Sequence, residues 1–182
     1  MRVSGLLGIL GIVAIATAVS AQELEPTPNV GAGPNHKAGA PYRAKLSPPL
    51  AEGTVLLVRG HVRAADTGKA IAGVVLDAFQ ADAQGKYDME GFEYRARVLT
   101  DEQGYFEFET IHPANYGPPP HIHFIITSPG YKTLKTELLF KDDMDRLDRT
   151  GPAELITELI RHETDGQVWE EGRFDVVLVP GE

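Results

Sequence analysis

The chain has 182 residues, 17 basic and 26 acidic side chains, a formal net charge of −9 and no cysteine. Without thiols there are no disulfide staples, iron–sulfur clusters, thiolate-bound zinc sites or thiol nucleophiles. An acidic chain with no basic stripe also argues against nucleic-acid binding.

The first residues read as a leader. Met1-Arg2 gives a small positive start, Gly5 to Ala18 is uncharged and apolar, and Val19-Ser20-Ala21 ends in small residues. This pattern predicts a secretory signal peptide over residues 1–21, a secreted or periplasmic product, and no membrane span after cleavage. Residues 22–50 are rich in Pro, Gly, Ala and Asn and lack periodicity, so they form either a flexible arm or a strap laid over the domain. The remaining 51–182 are long enough for one domain with a real core.

From Thr54 the pattern becomes that of short strands separated by Gly and Asp turns. Val55 to Arg63, Val74 to Phe79, Tyr94 to Leu99, Tyr105 to Phe108, the run beginning at His121, Lys135 to Phe140 and Phe174 to Val179 all read as strands. The last, more uniformly apolar, has the composition of a central core strand. Lys141 to Gly151 reads as a charged surface loop, and Ala153 to Arg161 as one short helix or a strand. The sum is an all-β fold, an antiparallel β-sandwich with a proline-rich N-terminal arm and few short helices.

The chemistry concentrates in Tyr116-Gly117-Pro118-Pro119-Pro120-His121-Ile122-His123. Three prolines enforce an extended lead-in, and alternation along the following strand projects His121 and His123 to one side. An isolated His-x-His is as readily a solvated surface pair as half a metal site. Tyr116 just upstream, and Tyr87 at the end of the turn Asp82-Ala83-Gln84-Gly85-Lys86, favour the site. Phenolate oxygens suit a highly charged ion and imidazole suits iron, so this ligand set points to Fe(III). His36, His61, His112 and His162 read as surface or hydrogen-bonding histidines, and Trp169 as a packing anchor.

Ordered motifs along the chain resemble the intradiol ring-cleavage dioxygenases. They are Gly39-Ala40-Pro41-Tyr42-Arg43, Phe79 to Tyr87, Tyr94-Arg95-Ala96-Arg97, Thr100 to Phe106, Thr110-Ile111 with Pro113 and Tyr116, Pro120 to Phe124, Pro129-Gly130-Tyr131 and Arg173-Phe174-Asp175. The resemblance implies a β-sandwich and a non-haem ferric ion held by Tyr87, Tyr116, His121 and His123. It also implies a small aromatic diol and O2 as partners, with ring cleavage between the two hydroxyl-bearing carbons. Tyr116 would leave the metal and take a substrate proton.

Two departures from the family pattern stand out. Pro118 occupies the place of an arginine three residues before the first histidine, and Glu137 stands near the place of a glutamine on the following strand. Arg95 and Arg97 share face parity, so one of them is a candidate to border the pocket as the replacement cation; Glu137 is a further candidate catalytic residue. Two other readings remain open. One is an iron-binding relative without ring cleavage; the other, from Gly60 to Lys69 and Thr100 to Phe106, is a carboxypeptidase-regulatory-like binding module. The short arm has no counterpart to the helical dimerisation segment of catechol 1,2-dioxygenases, and oligomeric state is left open.

Overall fold

The computed structural model describes residues 23–181, so the expected signal segment lies outside the described residues. Strand β1 (Val55–Ala64) alternates strictly, with Leu56, Val58, Val62 and Ala64 buried and Val55, Arg59 and Arg63 exposed. That period of two commits one face to the core. The other strands are β2 (Val75–Phe79), β3 (Arg95–Leu99), β4 (Tyr105–Ile111), β5 (His121–Thr127), β6 (Leu134–Phe140), β7 (Ile156–Thr157), β8 (Ile160–Thr164), β9 (Gln167–Arg173) and β10 (Val176–Leu178). One sheet runs β10-β1-β9-β8 with β4 on the other edge of β1, and the second runs β3-β2-β5-β6-β7.

The inner faces meet in a core of Leu56, Val58, Phe106, Phe108 and Val176 from the first sheet and Leu76, Ala78, Ile122, Phe124 and Leu138 from the second, with Phe174 between. Each fully buried phenylalanine contributes about 2 kcal/mol. The sandwich is mixed, not wholly antiparallel, because β1 pairs in parallel with both β9 and β10 and β6 pairs in parallel with β7. Strand β10 is apolar yet terminal in its sheet, and the arm covers its free edge: the Thr27 amide donates to the Val177 carbonyl, and the Val177 amide donates to Thr27 Oγ1 at 2.8 Å.

The arm is therefore a strap. Val30 and Gly31 donate to the Lys135 carbonyl, the Leu46 amide donates to the Glu109 carbonyl, and the Glu109 amide donates to the Ala44 carbonyl. Lys37 Nζ donates to the carbonyls of Met89, Glu90 and Gly91.

Two stretches differ from expectation. Lys141–Arg146 is a short helix, α1, with Asp142 and Asp143 in its first turn and Arg146 in its last, charges that complement the helix dipole. Residues Ala153–Leu155 form a single 3-10 turn leading into β7, and β8 begins at Ile160, so of the two expectations for Ala153 to Arg161, strand holds for part of the stretch and one helix does not. Strands β8 and β9 form a hairpin turning on Asp165-Gly166, both at positive φ (52° and 75°), as a two-residue type I′ turn requires. Trp169 lies on this hairpin, stacked on His162 at 4.0 Å, and does not anchor the core. Among the described residues no helix is long and apolar enough to cross a membrane.

Candidate metal centre

The outer face of the second sheet carries a row of cross-strand neighbours, Arg95, Phe79, His123 and Glu137, paired in register across β3, β2, β5 and β6. His121 lies on the same face one pleat away, opposite Leu139. Both histidines are buried, and Phe79 stacks on the His123 ring at 5.0 Å with 27° between planes. Two loops at this end of the sandwich supply the phenols, Tyr87 from the β2–β3 connection and Tyr116 from the β4–β5 connection.

Four donor atoms follow one another in a chain of close contacts. Tyr87 Oη is 2.9 Å from Tyr116 Oη, Tyr116 Oη is 3.3 Å from His121 Nε2, and His121 Nε2 is 2.9 Å from His123 Nε2. Ligands about 2 Å from a common ion stand roughly 3 Å from one another, so these spacings fit one metal ion among the four. His121 Nδ1 lies 2.7 Å from the Pro119 carbonyl, which can only accept; Nδ1 therefore carries the proton and Nε2 presents its lone pair. Burial and the neighbouring His121 hold the His123 pKa down at about 3, so this imidazole is neutral, as a ligand must be. Burial, and then the hydrogen bond that Tyr87 donates to Tyr116, raise the Tyr87 pKa, so only a strong cation would make Tyr87 a phenolate near neutral pH.

His121, His123 and Glu137 also offer nitrogen and carboxylate atoms within 4.8 Å of one another. The recorded Glu137 contact is to His123 Nδ1, at 3.9 Å, whereas Nε2 faces the tyrosines. The two-phenol, two-imidazole set is the better chelate because both Nε2 atoms point into it.

The strand positions of the candidate arginines are alike, but their fates are not. Arg95 is buried and backs Tyr87, its guanidinium 5.9 Å from the phenol ring and bonded to the carbonyls of Asp88 and Asn35 and to Met89 Sδ. Arg97 turns away to the Ala40 carbonyl and to the face of Tyr42. An open cavity of about 400 Å³ reaches Pro119 and Glu137, which neighbour His121 and His123, and is otherwise lined by Pro118, Leu139, Met144, Arg149 and Thr150 to Pro152; neither the four donor residues nor Arg95 and Arg97 line it.

Sequence reasoning missed three supports. Gln80 is fully buried and ties the loop bases together, donating to the Ile111 carbonyl and accepting from Thr110. Gly33 in the strap approaches so closely that a Cβ there would stand 3.2 Å from His123 Nε2. Gly85, at φ +79°, ends the Asp82 turn, and a Cβ there would lie 2.5 Å from Tyr116 Cβ. Gly85→Ala combines positive-φ strain of about 1–2 kcal/mol with that collision. It should displace Tyr116 and weaken metal retention more than it lowers the melting temperature, as chelator competition and calorimetry on the same sample would show.

The profile described as Dioxygenase matches residues 32–180. The chain belongs to the intradiol dioxygenase family. It is 33% identical to the 6-chlorohydroxyquinol 1,2-dioxygenase of Cupriavidus pinatubonensis, over 94% of this chain and 72% of that one. It is 30% identical to the intradiol ring-cleavage dioxygenase prcA of Aspergillus niger over 78% of this chain, and it spans about half of that protein (55%). Among solved structures, the dioxygenase domain of a dioxygenase and carbohydrate-binding protein fusion from the cellulolytic bacterium Streptomyces sp. SirexAA-E is similar at 34% identity and a TM-score of 0.75, covering 86% of this chain and 100% of that one. The 3-chlorocatechol 1,2-dioxygenase of Rhodococcus opacus follows at 27% identity and a TM-score of 0.78, over 90% of this chain and 77% of that one.

Proposed function

We propose that this member of the intradiol family cleaves a catechol-type ring between its two hydroxyl-bearing carbons, taking up both atoms of O2 to give a muconate-type diacid. Tyr87, Tyr116, His121 and His123 would hold a non-haem ferric ion. The observation that carries this reading is the meeting of their four donor atoms at 2.9–3.3 Å.

A ferric ion held by these four residues would supply Lewis acidity toward a catechol-type diol. The chain does the rest. Tyr116 is the more exposed of the two phenols, at 37%, and stands on the loop before the prolines, so its Oη is suited to take a hydroxyl proton from the incoming diol. Tyr87, backed by Arg95 and Phe79, stays fixed. The open cavity beside Pro118, Glu137 and Leu139 would take the ring body.

Its walls favour an uncharged ring. Pro118, Pro119, Leu139 and Met144 are apolar, Glu137 is a half-buried carboxylate, and Arg149 stands on the exposed rim. A relative named for a chlorinated hydroxyquinol agrees with this preference. In an oxygen-electrode assay, iron-loaded protein should consume O2 with catechol or hydroxyquinol and turn over the carboxylated protocatechuate more slowly. A burgundy, iron-loaded preparation inert toward all three diols would reject ring cleavage while leaving iron binding intact.

A further inference from the structure

The two nitrogens of His123 have different surroundings. Nε2 lies 2.9 Å from His121 Nε2, and Nδ1 is buried with no hydrogen-bond partner. A buried polar atom left unpaired costs roughly 1–3 kcal/mol, so its neighbourhood matters. Directly across the β5–β6 ladder stands Glu137, whose Oε2 is 3.9 Å from that nitrogen.

Counting protons gives this pair a role. His121 spends its Nδ1 proton on the Pro119 carbonyl, so its Nε2 is bare. The 2.9 Å contact between the two Nε2 atoms then places the proton of His123 on Nε2 and leaves its Nδ1 as an orphan acceptor opposite an acceptor carboxylate. A cation taking the Nε2 lone pair of a neutral His123 moves that proton to Nδ1. There, a side-chain movement of about 1 Å brings Glu137 into hydrogen-bond range.

We propose that Glu137 is a positioning residue that accepts the His123 Nδ1–H once the centre is loaded, making a carboxylate–histidine–metal relay. The inference rests on the ferric reading above. An anionic acceptor fixes the tautomer, orients the ring and makes Nε2 a stronger donor than a neutral amide would. It also adds a negative charge beside the centre, which makes the ion a poorer acceptor of phenolate electron density.

The test compares iron-loaded wild type with Glu137→Gln, Glu137→Ala and Glu137→Asp. The Gln and Ala variants should shift the phenolate-to-iron charge-transfer band to longer wavelength and lose roughly 10- to 100-fold in iron affinity against a chelator. The Asp variant, with its charge withdrawn by one methylene, should fall between them and wild type. Metal-free Glu137→Gln should melt at or above wild type, since the amide keeps the side chain's shape and can donate to the orphaned Nδ1. An unchanged band and unchanged iron retention in both Gln and Ala variants would overturn the relay. A wild type that develops no band with iron would instead overturn the ferric reading itself.

Discussion

Tyr87→Phe should separate stability from metal binding. The substitution keeps the ring that packs against Phe79 and under the Arg95 guanidinium, and removes only the hydroxyl. That oxygen sits where burial and Tyr116 already disfavour its charged form, so without metal the variant should match wild type within about 1 kcal/mol. With iron the outcomes diverge. Ion at a thousand times its dissociation constant stabilises the native state by about 4 kcal/mol, roughly 10 °C for a domain of this size. Wild type should show that rise, and Tyr87→Phe should show almost none, with a lost or displaced visible band and ring cleavage reduced by orders of magnitude. Calorimetry with and without iron decides it; an equal rise in both proteins would remove Tyr87 from the ligand set.

Stability should fall as the pH is raised from about 6.5 through 9, because of His112. Its Nδ1 is 2.7 Å from Glu170 Oε2 and its Nε2 is 2.7 Å from Asp143 Oδ2. Carboxylates accept, so both ring nitrogens donate and the ring is an imidazolium. Burial alone would lower its pKa, but the hydrogen bonds to Asp143 and Glu170 and their charges prevail and raise it to about 9. A pKa raised on folding stabilises fully below the unfolded value near 6.5 and ceases to do so once the folded group deprotonates. The window is worth on the order of 3 kcal/mol. Urea unfolding between pH 6 and 9.5 should show that decline in wild type and a flat profile in His112→Gln. His112→Ala should be worse than His112→Gln at every pH, because it leaves Glu170 and Asp143 with no donor from this position whereas the amide keeps one. Parallel profiles would dismiss the cradle. Its place is informative: Asp143 belongs to α1, and Met144 beside it lines the cavity next to the histidines, so loosening the cradle should also raise the KM for a diol.

The strands and the putting of His121 and His123 on one face were legible because both follow from a local period of two. The β8–β9 hairpin carries a local signal as well, Asp165-Gly166, although Leu155, Leu159 and Ile160 just before it also fit a helical spacing. The two arginines mark the limit of parity. Arg95 and Arg97 do share a face, yet one is buried behind Tyr87 and the other leaves for Tyr42, a choice made by the neighbours each meets. Gly33 against His123 and His112 between Asp143 and Glu170 join residues 31 to 90 positions apart, and no short-range pattern announces such meetings.

The strap also has a temporal consequence. Thr27 is fastened to Val177, 150 positions later, whereas Lys37 closes on Met89 to Gly91 and Val30 and Gly31 close on Lys135, so the strap is secured in stages. Closure of so long a loop is entropically late. Gly33, two residues from the bond between Gly31 and Lys135, thus closes over His123 only once β6 lies beside β5.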